Sequence, residues 1–286
     1  MKMSIKRFSE LQLLTRMDFR CEGPTLVDVG AHIGGFAKLF AELGWRVVAF
    51  EPEPNNYQRL RANLGNFPNV TCIAKAVSDA SEERVAFYVS SDHWGIHSLQ
   101  PFHPTHQSTV MVDTVRLDEV LDDLGVEKVT VLKIDVEGAD FLALRSFDFD
   151  RYRPEAVMLE FMDERSLPNY GYTHHDMVAY MTAHQYVAFV SEWEPIEEYA
   201  REGVAHDPHT WVQCVRYPLH HAPAWGNLLF VPQSRVASFE RTLRAYLREI
   251  ELLNRVEALR PLLQAIPGAR FIYQALRKAN LSLGGE

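Results

Sequence analysis

The chain has 286 residues, enough for one large domain with an extension. Its 47% hydrophobic and 23% charged content is that of a folded globular protein and excludes a disordered chain. A net charge of −9 disfavours non-specific nucleic-acid binding, and the dispersed cysteines Cys21, Cys72 and Cys214 match no zinc spacing.

The N-terminal segment MKMSIKRFSELQLLTRM carries early positive charge but no apolar run of signal-peptide length. No segment is apolar for long enough to span a bilayer. The expected location is cytoplasmic, with reduced thiols.

From Thr25 short apolar runs alternate with helix-like segments. TLVDVG reads as a strand closed by Gly30, and GGFAKLFAELG as a helix stopped by Gly44. RVVAFE is a second strand and EPNNYQRLRANLG the next helix. VTCIAKAVSD is a third strand with its exit loop, and VAFYVS a small extra strand. TVRLDEVLDDLG leads into a short helix, KVTVLKIDV is a fourth strand, and FLALRSF another short helix. EAVMLEFM, YVAFVSEW and NLLFVP are strands five to seven, with a helix over Thr173 to His184. This alternation predicts an α/β, doubly wound sheet wrapped on both faces, with the ligand site beyond the carboxyl ends of its strands.

The domain expected over 1–233 contains an irregular insert at about 194–226, rich in Pro, His and Trp. Trp193, Trp211 and Trp225 suit either a sugar platform or a small satellite core. A helical extension follows over 234–286. Its positions Val236, Phe239, Leu243, Tyr246, Ile250 and Leu253 form a coiled-coil-like seam. Packing on its own domain and a homodimer contact are equally compatible with it. The extension is basic, so peripheral membrane contact is a further reading, behind solvated arginines.

The turn VDVGAHIGGF joins a strand to a helix. Glycines let the backbone turn tightly and approach a ligand. The spacing G-x-x-x-G-G, Gly30 to Gly35, is not the dinucleotide fingerprint G-x-G-x-x-G, which counts against a nicotinamide oxidoreductase. Asp28 holds the loop or binds an ammonium. Glu51, at the exit of strand two, is placed to accept hydrogen bonds from ribose hydroxyls. Ser78 and Asp79, after strand three, are candidates for an adenine edge.

VLKIDVEGAD puts Lys133, Asp135 and Glu137 at alternate positions where a strand ends. Buried charge is costly unless it is used. Asp135 is the first candidate for a base or acceptor-orienting group; Glu137 is catalytic or holds the loop through backbone N–H bonds. SDHWGIHSLQPFHPTHQ contributes His93, His97, His103 and His106. Histidine suits proton transfer near neutral pH, and His97 with Ser98 are the active-site candidates. His103 and His106 read as solvated loop residues, and no metal site is expected. Glu160, ending strand five, is a candidate for the acceptor pocket.

The ordered set LVDVGAHIGGF, VVAFEPEPNNYQRLRANL, AVSD and VTVLKIDVEGAD resembles the FkbM family of S-adenosylmethionine-dependent methyltransferases over roughly Thr25 to Phe161. The resemblance implies the class I methyltransferase, Rossmann-like fold: seven strands in order 3-2-1-4-5-7-6, the seventh antiparallel. It implies S-adenosyl-L-methionine as cofactor and O-methyl transfer to a hydroxyl of a sugar, glycan or glycosylated natural product. Asp28, Gly30 and Gly34 would hold the methionine end, with His32 approaching the cofactor. Glu51 would bind the ribose, Asp79 the adenine, and Asp135 and Glu137 would face the methyl group or the acceptor. A noncatalytic cofactor-binding partner subunit is the alternative.

Overall fold

The computed structural model describes residues 8–196, 209–219 and 225–265, with the backbone alone at 257 and 259–265. The chain divides into two compact units, residues 18–236 and the paired segments 1–17 and 237–286.

The larger unit runs β1 (Thr25–Val29), α2 (Gly35–Glu42), β2 (Arg46–Phe50), α3 (Pro54–Leu64) and β3 (Val70–Ile73), after α1 (Glu10–Thr15) of the smaller unit. It continues through β4 (Ala76–Val77), β5 (Glu82–Ser90), β6 (His106–Val115), α4 (Leu117–Asp123) and β7 (Val131–Ile134). Then come α5 (Asp140–Arg145), α6 (Phe149–Tyr152), β8 (Ala156–Met162), α7 (Asp163–Tyr170), α8 (His174–Ala183) and β9 (Tyr186–Trp193). β10 (Trp211–Arg216) and β11 (Trp225–Pro232) close the unit, and α9 (Val236–Ala265) follows.

The main sheet has the order β10-β9-β11-β8-β7-β1-β2-β3. Its first seven strands in chain order, once β4 to β6 and β10 are set aside, have the expected order, and β11 is antiparallel to both β8 and β9. The difference is an eighth strand, β10, antiparallel on the outer edge of β9. β10 falls within the stretch expected to be irregular; residues 197–208 and 220–224 of that stretch lie outside the described residues. Trp193 and Trp211 are register partners across β9 and β10, and the Trp193 and Trp225 rings are 6.0 Å apart. The three tryptophans therefore gather at one end of the sheet.

β1 and β7 are buried along their whole length because helices cover both faces. Val27, Val48, Leu132, Val157, Phe161 and Phe230 belong to a continuous apolar cluster in which each is at most 2% exposed. This centre holds the carboxyl ends of β1, β2 and β7 side by side: Asp28 pairs with Ala49 on one side and Lys133 on the other.

A second sheet, β4-β6-β5, was not expected. AVSD leaves β3 and pairs with β6 instead of extending the main sheet. β6 covers residues read as a histidine loop and a helix entry, because its polar, alternating sequence packs one face only.

In the smaller unit the seam residues Phe239, Leu243 and Tyr246 are buried and Ile250 is half-buried. The Tyr246 ring lies 5.5 Å from that of Phe8 and under the Arg16 guanidinium, which also reaches Glu249 at 3.1 Å. The first turns of the seam thus have partners within their own unit.

Candidate active site

The glycine turn connects β1 to α2. Its Gly30 and Ala31 amides both donate to the Phe50 carbonyl, which ties the turn to the end of β2. Gly30 has φ +74, and a β-carbon there would collide with the Asp135 carbonyl. Only glycine lets the turn pass this close to the loop after β7. His32 adopts φ +52, a conformation uncommon for a non-glycine residue. Its amide donates to Glu51 Oε2 at 2.9 Å, while Glu51 Oε1 accepts from the Glu53 amide at 3.0 Å. Burial pushes the Glu51 carboxyl up to about 7 against these two bonds. Glu53 in turn caps α3 by accepting from the Asn56 amide at 2.7 Å.

Lys133 is the centre of the electrostatics. Its Nζ donates to the Gly30 carbonyl at 2.9 Å and lies 3.0 Å from Asp28 Oδ1 and 3.6 Å from Asp135 Oδ2. Burial by itself would lower the lysine; the two aspartates outweigh it and hold the ammonium above its ordinary value. Asp28 is fully buried, and desolvation raises it despite Lys133. The lysine thus sits between Asp28 and Asp135, and Glu137 leaves the row that strict alternation would give Lys133, Asp135 and Glu137. The strand ends at Ile134, and Glu137 turns to φ +60.

That turn delivers Glu137 to Arg165, a residue of α7 that sequence reasoning missed. Arg165 pairs with Glu137 and lies 3.4 Å from Glu160 Oε2, while its guanidinium covers the Phe102 ring at 4.4 Å. Burial still raises Glu137, to about 8, and raises Glu160 well above its ordinary value. The backbone bonds considered for Glu137 belong to Asp140, which accepts from the Val136 and Gly138 amides at 3.1 and 3.0 Å. Among the described residues, Asp135, Glu137 and Glu160 are the one group of three with ligand-like oxygens within 4.8 Å of one another. Arg165 already meets two of them with positive charge.

The segment between β5 and β6 forms the opposite wall. His97 Nδ1 accepts from the Ser90 amide at 3.1 Å. His106 Nδ1 accepts from the Phe102 amide at 3.2 Å, and its Nε2 donates to the Ile96 carbonyl at 2.7 Å. His103 Nδ1 accepts from the Thr105 amide at 3.3 Å. His103 and His106 are therefore fasteners of this segment, not solvated loop residues. Ser98 Oγ donates to the Glu137 carbonyl and links the segment to the acidic loop. Trp94 is held between the Arg59 guanidinium, 4.4 Å from its ring centroid, and the edge-on His32 ring.

These pieces surround a cleft of about 750 Å³, counted out to its mouth. Gly30, His32, Glu51, His97, Asp135 and Glu137 all line it. Apolar lining comes from Phe50, Val77, Phe87 and Leu99, and Lys75 and Asn56 also reach it. Asp28 stands behind the lining, against Lys133, and Gly34 packs on Leu60 and Leu64. Ser78 and Asp79 lie off the cleft: the Ser78 amide donates to the Val115 carbonyl, and Asp79 Oδ2 pairs with Arg145 at 2.5 Å. Lys75, Ala76 and Val77 line the wall in their place, because the chain has already turned into the second sheet. Glu160 also stays outside the cleft, behind Glu137. The one signal for the missed wall residues was Trp94, within SDHWG; Lys75 and Phe87 carried none, and neither did Arg165 behind the lining.

The sequence model of the FkbM methyltransferase domain matches residues 28–188, more than half of the chain. The chain is 26% identical to the 2-O-methyltransferase NoeI of Sinorhizobium fredii over 133 residues, 41% of this chain and 54% of that protein. It is 28% identical to the hexuronic acid methyltransferase AglP of Haloferax volcanii over 125 residues, 43% and 50% of the two. The AMB antimetabolite synthetase AmbE of Pseudomonas aeruginosa is 29% identical over 178 residues, 49% of this chain but 8% of that protein. The aligned region therefore spans about half the length of NoeI and AglP, and a small part of AmbE. Among solved structures, the Bacillus cereus O-methyltransferase in complex with SAH aligns with a TM-score of 0.39 at 12% identity, covering 77% of each chain.

Proposed function

The chain belongs to the FkbM methyltransferase family, and from that premise we propose that it is an O-methyltransferase acting on a hydroxyl of a sugar, glycan or glycosylated natural product. S-adenosylmethionine supplies the chemistry, a methyl carbon activated by the sulfonium charge. The cleft suits such a ligand. Phe50, Val77, Phe87 and Leu99 offer apolar surface, Glu51 and Asp135 offer carboxylates, and His32 Nε2 is buried with no hydrogen-bond partner. In this reading Glu51 accepts from the ribose hydroxyls through the lone pairs left free by its two backbone bonds.

The observation that carries the reading is that Asp135 opens onto the same cleft as Glu51. Its side chain is 37% exposed and lines the cleft together with Gly30. Much of the enzyme's contribution to such a transfer is positioning, and a hydroxyl is a weak nucleophile. Asp135 accepts the hydrogen bond of the acceptor hydroxyl and takes its proton. Lys133 anchors Asp135, and Glu137, held by Arg165, lines the cleft beside it. The sugar class draws support from the name of AglP, a hexuronic acid methyltransferase, and O-transfer from that of NoeI.

The test is incubation with methyl-labelled S-adenosylmethionine and fractionated glycans and metabolites. Label in an alkali-stable ether on a sugar is the expected result. Absence of calorimetric binding of S-adenosylhomocysteine would sink the reading, as would label confined to nitrogen or carbon.

A further inference from the structure

His97 is the cleft-lining group whose protonation the backbone dictates. The Ser90 amide points its hydrogen at Nδ1, 3.1 Å away. A proton on Nδ1 would face that N–H and leave it without an acceptor at a buried strand end, which is costly. The single imidazole proton therefore resides on Nε2. His97 lines the cleft, and with Nδ1 taken by Ser90 the nitrogen that can meet a ligand there is Nε2. A base must offer a bare Nε2, and this ring can do so only by moving its proton to the blocked Nδ1. Burial disfavours the protonated ring and His106 adds to that, while Glu53 opposes them.

We propose that His97 is a neutral hydrogen-bond donor, through Nε2–H, to an oxygen of the bound ligands, and not the base of the reaction. The proposal rests on the methyltransferase reading for the identity of those ligands. It leaves Asp135 as the group that takes the proton. The donor requires an oxygen lone pair, either a hydroxyl or ring oxygen of the acceptor or an oxygen of the cofactor.

Long-range proton–nitrogen NMR of the full chain reads the tautomer directly. Nε2–H from pH 7 to 9 is expected, with and without S-adenosylhomocysteine; Nδ1–H or an even mixture overturns the proposal. This arm does not depend on what is methylated, so it separates the proposal from the functional reading beneath it. Two variants complete the test. Asparagine places an oxygen where Nδ1 was, so H97N keeps the Ser90 bond and removes the cleft donor. Glutamine restores an N–H near the Nε2 position. A neutral hydrogen bond of this kind is worth about tenfold. H97N with about tenfold weaker S-adenosylhomocysteine binding by calorimetry assigns the bond to the cofactor. Unchanged binding with about tenfold lower labelling of the glycan fraction assigns it to the acceptor. H97Q should recover most of either loss and keep the wild-type pH profile. If H97N changes neither quantity, or H97Q loses the acid limb of the profile, the proposal fails.

Discussion

The carbonyl of Asp135 occupies the space that a β-carbon on Gly30 would need. The glycine turn after β1 and the acidic loop after β7 are therefore in contact, and Asp135, the proposed proton acceptor, is held beside the glycine turn.

Gly30→Ala combines a left-handed backbone at φ +74 with a collision against main chain, which cannot swing aside. A cost of about 2–4 kcal/mol is expected. Urea denaturation measures it, and a change within about 0.5 kcal/mol would refute the packing argument.

Lys133→Met leaves Asp28 buried without its counter-charge, and the protein should lose about 3–5 kcal/mol. Adding Asp28→Asn should recover a large part of the loss, because the uncompensated charge goes with it. A double-mutant cycle measures the coupling; additive effects would mean that the pair is not interacting.

Glu51 carries a pH prediction. Its folded-state carboxyl is held up at about 7, against 4.5 without the protein around it. The folded state keeps a proton that the unfolded chain releases, so this group lowers stability as pH rises from 4.5 to about 7. Ribose hydroxyls bind the ionised form, so S-adenosylhomocysteine affinity should rise with pH and level off above about 7, at up to tenfold per unit. Glu51→Gln should bind weakly with no such slope. A wild-type affinity flat between pH 5.5 and 8 by calorimetry would contradict the assignment.

Asp135 and Glu137 should separate cleanly. Asp135→Asn should cost roughly 100- to 10,000-fold in methyl transfer while cofactor affinity and melting temperature hold. Glu137→Gln removes the charge of one of the two carboxylates that Arg165 meets, so it should lower stability by about 1–3 kcal/mol. Equal losses of turnover with no change in melting temperature for either variant would refute this division.

Much of the site was legible because its signals are local. Apolar runs closed by Gly30 and by Glu51 mark strand ends, and in a parallel sheet strand ends converge. Hence Gly30, His32, Glu51, His97, Asp135 and Glu137, read from separate motifs, all line one cleft. Asp28 is tied to that group through Lys133, because β1 and β7 are neighbours in register. Ser78 and Asp79 fall outside the lining of that cleft for a reason that local pattern does not carry. β4 is two residues long and takes its partner from β6, about 40 residues onward. That pairing turns Asp79 to Arg145 and brings Lys75 to Val77 to the cleft wall.

What the amino-acid sequence determined by itself was the strand–helix alternation and the loops at the strand ends; the order of the seven core strands followed from the family resemblance that those motifs carry. Hydrophobic periodicity and turn glycines act within a few residues, so they can be read along the chain. Only the tertiary structure decided the pairing of charges: Lys133 with Asp28, Arg165 with Glu137 and Glu160, and the Ser90 amide with His97. Charge and hydrogen bonding act through space at about 3 Å. Their partners come from whichever elements the folded sheet brings together.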